Sequence, residues 1–232
     1  MPNQPDLWFA AALAQLTVDL HDADGGVDQV AAAVVDFAVA RLAWPYAGLA
    51  LTRRAGRVEP AAQSDPAIGP LWEHLLTETS PLLMVARGND PVVVDYSKEG
   101  QTRSADEATA AHRAGITAAT HLPLKVASGP VGALSLYDTD AGRLGELSLT
   151  VATLLARHAS VAIAQARHRE SMMNAVEARK LVGQAVGILM QRFDISAELA
   201  FHVLSRHSQH SNTKLRQIAE YVVQHRRLPT AD

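Results

Sequence analysis

The side chains best suited to bind a polyanion lie in the last quarter of the chain. Phosphate groups are bound by exposed Lys and Arg, in a contribution that weakens with salt. Six cations of this region are candidates: Arg179, Lys180, Arg192, Arg206, Lys214 and Arg216. Because most charges on helices are simply solvated, we expect at least half of the six to bind nothing. Lys214 and Arg216, near the start of a predicted helix, and Arg179 with Lys180 are the better candidates.

Two uncharged polar residues accompany these cations. The Gln184 amide and the Ser208 hydroxyl have the donors and acceptors that recognise the edges of bases. Each also has a structural interpretation, because Gln184 can be an ordinary exposed helix residue. Ser208 can equally well donate to the backbone of its own helix.

Motifs for catalysis and for metal binding are missing from the sequence. We find no GxxxxGK[ST], GxSxG or HExxH pattern, and no cysteine. The ten histidines are scattered, and His202 and His207 are five apart, which is a poor helical spacing for a metal pair. We therefore predict no catalytic residue, no metal and no cofactor. His121, on a predicted strand, could touch a haem or another ligand, but a strand histidine that is hydrogen-bonded or faces solvent is the simpler expectation.

Charge is distributed unevenly along the 232 residues. Residues 1–169 carry 13 Lys and Arg against 18 Asp and Glu, whereas residues 170–232 carry 8 against 6. A shift of this kind near residue 170 fits a domain boundary, and the net charge of -3 requires any nucleic-acid site to be local. With no secretory signal and no apolar run of about 20 residues, a cytoplasmic protein is expected.

The first part of the chain alternates short strands with helices. We predict helices over 6–20, 27–42, 65–79 and 102–114, and strands over 46–52, 58–63, 91–96, 117–126 and 131–137. The last two strands are joined by a hairpin turn, Ala127-Ser128-Gly129-Pro130. This order indicates an α+β domain with an antiparallel sheet.

From about Leu144 the pattern is helical. A 4-3-4-3 spacing, here called the seam, is formed by Leu147, Val151, Leu154, His158, Val161, Gln165, His168 and Met172. Such a heptad repeat either packs the helix on its own sheet or pairs it with a second chain. We favour pairing for the later part, because the seam extends beyond the sheet.

The last 60 or so residues predict three helices that fold back on one another. The first ends at Phe193, the second spans 197–209 after the N-cap Ser196, and the third spans 213–225 after a turn capped by Asn212. One face of the second helix carries Ala200, Phe201, Leu204 and Ser208, and this face must be buried against the other helices. Gly183 and Gly187, flanking Ala185, predict a narrow strip that another backbone or a ligand can approach.

Small and apolar residues at fixed places in these helices resemble the ANTAR domain over residues 175–226. The matching positions are Arg179, Gly183-Gln184-Ala185-Val186-Gly187-Ile188-Leu189-Met190, Ala200-Phe201, Leu204, Ser208, Lys214-Leu215 and Ala219. Val186 stands where many members carry Lys. The resemblance implies RNA binding in transcription antitermination. With the candidates named above, we predict an RNA site of Arg179, Lys180, Gln184, Ala185, Gly187, Ser208, Lys214 and Arg216. For Ala185, as for Ala200 and Ala219, tight packing between helices is the simpler expectation than contact with RNA.

The upstream region resembles a GAF sensor domain. The resemblance is carried by Ala114-Gly115-Ile116, His121-Leu122-Pro123-Leu124 and Gly132-Ala133-Leu134-Ser135-Leu136-Tyr137. It implies a sensor over 1–165 that is joined by a long signalling helix to an all-α module over 166–232. A homodimer through that helix would present two modules to an RNA leader with paired stem-loops, and a small-molecule ligand could bind the sensor.

Other functions are also compatible with the sequence. A helix-turn-helix regulator that binds DNA is the main alternative, since the third helix offers Thr213, Lys214, Arg216, Gln217 and Gln224 to base edges. A receiver domain would need an acidic pair after its first strand and an Asp at the end of a later one, and the N-terminal half of the chain lacks that order. A ligand sensor whose last helices serve only dimerisation is the third class.

Overall fold

A computed structural model describes residues 26–229 except 78–79, 89, 99–103 and 141–145. The helix predicted over residues 6–20 lies outside the described residues. The chain forms two compact units that divide between Arg167 and His168, and each unit is described by itself below.

The first unit is built on a five-stranded sheet. Its strands are β1 (Tyr46–Thr52), β2 (Val58–Gln63), β3 (Val92–Asp95), β4 (Ala118–Val126) and β5 (Gly129–Asp138). Their order across the sheet is β2-β1-β5-β4-β3, and every pairing is antiparallel. The predicted α+β class with an antiparallel sheet is therefore confirmed.

Helices cover both faces of this sheet. The helices are α1 (Val27–Leu42), α2 (Gly69–Leu75), α3 (Pro81–Ala86), α4 (Ala105–Arg113) and α5 (Glu146–Phe193). Because side chains alternate along a strand, Leu134 and Leu136 of β5 enter the core shared with α1 and α5. Ala133 and Tyr137 of the same strand enter the core shared with α2, α3 and α4.

A glycine sets the distance between β1 and α2. A Cβ atom at Gly48 would lie 2.3 Å from Cζ2 of the Trp72 ring, so only glycine lets the indole lie against the strand. The Trp72 side chain is consequently buried against the sheet.

The structure corrects two of the predicted elements and adds one that was not predicted. The helix predicted over 65–79 is a 3-10 turn (Pro66–Ile68) followed by α2, which ends at Leu75. Helix α3, which Ser80 caps by accepting a hydrogen bond from the Leu83 amide, was not predicted. The hairpin loop is only Ala127-Ser128, because Val126 pairs with Gly129 in the sheet.

Helix α5 packs on its sheet with a stripe that is not the seam. The buried apolar side chains of its first half are Ala152, Leu155, Ala156, Ala159, Ile163 and Ala166. Four of these are alanines, which allow a close approach to the strands. Most of the seam does not pack there. Its later residues His158, Val161, Gln165, His168 and Met172 are exposed, whereas Val151 and Leu154 are half-buried and Leu154 packs against the core.

The stretch Leu149–Phe193 of α5 meets the length and composition of a membrane span. Of its most apolar window, 39% is buried inside the structure. The stripe on the sheet explains this burial, and a core helix of a soluble domain has the same property.

The second unit consists of three helical segments. They are the C-terminal part of α5, then α6 (Ala197–His210) and α7 (Leu215–His225).

Candidate nucleic-acid interface

Small residues hold the three helical segments of the second unit together. The core of the unit consists of Ala185, Leu189, Ala200, Leu204, Ile218, Ala219 and Val222. One buried alanine comes from each helix, so the backbones can approach closely. Each helix is amphipathic, with apolar residues three and four apart.

Two tight connections fix the ends of α6. Ser196 caps the helix, with its Oγ accepting from the Leu199 amide at 3.2 Å. At the other end the Ser208 Oγ donates to the Thr213 carbonyl at 2.6 Å, and the Thr213 amide donates back to the Ser208 carbonyl at 3.1 Å. Asn212 was predicted to cap α7, and this prediction is wrong. Asn212 adopts a φ of 49° in the turn, and Lys214 occupies the N-cap position.

The structure exposes most of the predicted RNA-binding residues. Exposed positions are Arg179, Lys180, Gln184, Gly187, Lys214 and Arg216. None of the four cations forms an ion pair within the described part of the chain. Ser208 is half-buried, and its hydroxyl is engaged by Thr213, as in its structural interpretation.

Ala185 is the exception, because its side chain is completely buried. It packs against α6 and α7 and cannot present its methyl group to a ligand. The strip predicted from Gly183, Ala185 and Gly187 is also wrong. Residues two apart on a helix point in nearly opposite directions, so the two glycines face outward, with nothing within 4 Å of a Cβ at either.

A groove with a volume of about 690 Å³ opens on the surface of this unit. Its walls come from α5, α6 and α7, and its lining is Ala178, Arg179, Val182, Gly183, Val186, Ala197, Glu198, Phe201, Leu215 and Arg216. The fold thus brings Arg179 and Arg216, which are 37 positions apart in the sequence, to one apolar groove.

Phe201 is the residue of this surface that the sequence interpretation misplaced. It was expected on the buried face of α6, yet 47% of it is exposed. Ala200 and Leu204 fill the core. Because successive residues are rotated by about 100° about the helix axis, Phe201 points toward the groove when Ala200 points into the core. Its neighbour Val186 is half-buried in the same groove.

The first unit contains a buried polar cluster on the face of the sheet covered by α2, α3 and α4. His121 of β4 is fully buried, and its Nδ1 lies 2.8 Å from the Ser135 Oγ of β5. Of the two structural expectations for His121, the hydrogen-bonded histidine is confirmed and the solvent-facing one is wrong. Burial lowers the pKa of His121 to about 4, so the ring is neutral at pH 7.

Three buried polar atoms in this cluster lack a hydrogen-bond partner within the described residues. They are His121 Nε2, Trp72 Nε1 and the Tyr137 hydroxyl. The His121 and Tyr137 rings meet edge-on with their centroids 6.2 Å apart, and burial raises the pKa of Tyr137. The cluster can therefore donate hydrogen bonds to a small polar molecule, but it carries no charge of its own at neutral pH.

A second buried pair lies on the same side of the sheet. The Tyr96 hydroxyl donates to Glu107 Oε1 at 3.2 Å, and burial raises the pKa of the phenol.

In the part of the chain that the structure describes, no group of three or more His, Cys, Asp or Glu is placed to hold a metal ion.

Solved structures show the same fold as the first unit. The GAF domain of a phosphoenolpyruvate-protein phosphotransferase from Coxiella burnetii is 15% identical, with a TM-score of 0.55, covering 71% of this chain and 98% of that one. The phycoerythrobilin-bound GAF domain of a cyanobacterial phytochrome is 13% identical, with a TM-score of 0.51 and coverages of 70% and 97%. At these identities the likeness shows the fold alone. No curated protein matches the chain.

Two family models match the chain, one over the unit with the five-stranded sheet and one over the unit with three helical segments. The GAF domain model matches residues 25–164, which is more than half of the chain, and the ANTAR domain model matches residues 170–223. GAF and ANTAR domains are sensor and regulatory domains rather than catalytic families. The chain accordingly belongs to the GAF family and is a two-domain GAF–ANTAR regulator.

Proposed function

We propose that this protein is a cytoplasmic transcription antitermination regulator that binds RNA through its ANTAR domain under control of its GAF domain. The observation that carries the proposal is the convergence of Arg179 and Arg216 on one groove. Lys180 and Lys214 lie within two positions of them in the sequence. These four cations are exposed, and none of them forms an ion pair with another described residue. The protein acts by binding, without catalysis.

The proposed RNA target is a leader with paired stem-loops. A module with a few cations and an apolar groove suits loops and unstacked bases better than the grooves of a duplex. A homodimer paired along the seam of α5 would hold two ANTAR domains, and two linked sites gain avidity when their spacing suits the RNA. Holding both hairpins would prevent a competing terminator from forming.

The signal that reaches the GAF domain is proposed to be a small molecule. GAF domains bind small ligands, and Trp72, His121 and Tyr137 offer unpaired polar atoms within the core. A neutral, oxygen-bearing compound matches these donors, because no cation stands among them at neutral pH.

An RNA-binding titration tests the main proposal. The full-length protein is titrated against a two-hairpin RNA and against duplex DNA at several salt concentrations. We expect tighter binding to the RNA. The double variant Lys214→Ala/Arg216→Ala should bind several-fold more weakly, with a salt slope lower by about 1 for each cation that contacts a phosphate.

The matched control removes the positive charge at Arg206, which is exposed on α6 and does not line the groove. Arg206→Ala should leave the affinity and the salt slope close to those of the wild type. Equal affinity of the double variant and the wild type would refute the site. Tighter binding to duplex DNA than to RNA would favour the helix-turn-helix alternative.

A further inference from the structure

We propose that the groove of the ANTAR domain is a pocket for an unpaired nucleobase, which stacks on Phe201 while Arg179 and Arg216 bind the adjoining phosphates. The proposal rests on the function proposed above and assigns the part of the RNA that the groove receives. The ring that would recognise the base belongs to Phe201, which was predicted from the sequence to be buried in the core.

The exposure of Phe201 is the first argument. Burying a phenylalanine stabilises a protein by about 1.5–3 kcal/mol, yet 47% of this side chain is left in solvent beside a packed core. No other ring and no cation stacks on it within the described residues. An exposed aromatic face is the standard platform for an unpaired base, because every base has a π-face.

The chemistry of the walls is the second argument. Val182, Val186 and Leu215 surround Phe201 with apolar surface, which suits the flat face of a base and cannot bind a phosphate. Arg179 and Arg216 also line the groove and are exposed. This pattern of apolar floor and cationic edge complements a nucleotide, which carries an aromatic base on a negatively charged backbone.

Space at Gly183 is the third argument. The residue lines the groove, and a Cβ there would meet nothing within 4 Å. Glycine in the middle of a helix costs about 0.5–1 kcal/mol relative to alanine. A larger side chain at this position would project into the groove without disturbing the core of the domain.

The test measures stacking and affinity in the same titration. The probe is a two-hairpin RNA with 2-aminopurine in its loops, whose fluorescence falls when the base stacks, and its binding to full-length wild-type protein is compared with that of Phe201→Ala and Phe201→Trp. We expect Phe201→Ala to bind about 10-fold more weakly or worse, which corresponds to about 1.4 kcal/mol, and to lose the fluorescence change. Phe201→Trp should retain both signals.

Leu199→Ala is the matched control, because Leu199 is 51% exposed on the same helix and does not line the groove. It should bind like the wild type. Gly183→Leu should keep or raise the melting temperature and lose RNA affinity, since leucine favours the helix and fills the groove.

The outcomes separate this inference from the proposed function. If the wild type binds the hairpins and Phe201→Ala binds equally well with the same fluorescence change, the base pocket is wrong while RNA binding stands. If the wild type binds no hairpin RNA, both fail. A Phe201→Ala variant that loses self-association in sedimentation and keeps its RNA affinity would assign the groove to a second copy instead, and would overturn the inference.

Discussion

The guanidinium of Arg167 donates a hydrogen bond to the carbonyl oxygen of Thr52 at 2.7 Å, across 115 positions of sequence. It donates a second one to the Val131 carbonyl at 2.9 Å. Thr52 ends β1, and Val131 lies near the beginning of β5. Arg167 therefore fastens α5 to two neighbouring strands at the last residue of the sensor unit.

Replacement of Arg167 by methionine should loosen this attachment. Methionine keeps an apolar stem and removes both donations, each of which is worth about 1.5–3 kcal/mol when the donor is charged. We expect a lower free energy of unfolding in urea and faster amide exchange in α5 around residue 167. Arg169→Met is the control, because Arg169 is exposed on the same helix. Equal losses in both variants would contradict the assigned role.

His121 should make the stability of the GAF domain depend on pH. The unfolded ring takes up its proton near pH 6.5, and the folded ring only near pH 4, so the unfolded state binds the extra proton between these values. The contribution is complete above pH 6.5 and is lost as the pH falls toward 4. The full loss is roughly 3 kcal/mol for a shift of this size.

Urea unfolding of the wild type and His121→Gln at pH 7.5, 6 and 5 measures this contribution. Glutamine is polar and does not titrate, so the variant should lose much less stability between pH 7.5 and 5. The pKa of Asp95 is lowered to about 2 by hydrogen bonds from Ser97 and Lys98, so that carboxylate titrates below this range. Parallel losses in wild type and variant would show that His121 is not the group responsible.

The strands of the sheet could be predicted well because alternation and turn residues act locally. Strands β1 and β2 begin and end at the predicted residues. Helix α3 was missed, because six residues between Pro81 and Ala86 are too few to display a helical period. Its cap at Ser80 is visible in the sequence, but a short apolar run is as compatible with a strand.

The binding site was predicted less completely, because it depends on packing among three helices. The cations could be chosen from the sequence, since a charged residue on an amphipathic helix faces outward. The expectation of tight packing at Ala185 is confirmed by its burial, although the residue was also counted in the site. Phe201 could not be placed by the same reasoning. Which of two neighbouring apolar residues enters the core is decided by the crossing of α5, α6 and α7, and this follows from their joint packing rather than from the period of any one helix.

Ser208 should matter for stability more than for RNA contact. Its hydroxyl and its carbonyl both bond Thr213, so Ser208→Ala removes one of two hydrogen bonds that hold the turn before α7. We expect a loss of about 0.5–1.5 kcal/mol in the free energy of unfolding. Ser205→Ala, on the same helix and also half-buried, should cost less.

RNA titration under strongly native conditions distinguishes the two roles of Ser208. If Ser208 acts only in the turn, Ser208→Ala should lower the melting temperature and leave the RNA affinity of the folded protein nearly unchanged. A large fall in affinity without a change in stability would instead support a direct contact with RNA and would make the bond to Thr213 incidental.

The seam of α5 should hold two chains together. Val161 and Met172 are 52% and 57% exposed, and they occupy core positions of the heptad repeat. A glutamate at either position is solvated in a single chain, so Val161→Glu and Met172→Glu should change the stability of the monomer by about 0.5 kcal/mol or less. In a paired helix the same charge would be buried without a partner, and the dimer should dissociate.

Sedimentation velocity at several protein concentrations measures this effect. Met173→Glu is the matched control, because Met173 is 72% exposed and adjacent to Met172 but lies outside the seam. We expect wild type and Met173→Glu to sediment as dimers, and the two seam variants as monomers. The seam variants should also bind a two-hairpin RNA with the affinity of a single-hairpin RNA, because the second site is no longer tethered. Dimers in all four proteins would place the contact between chains elsewhere.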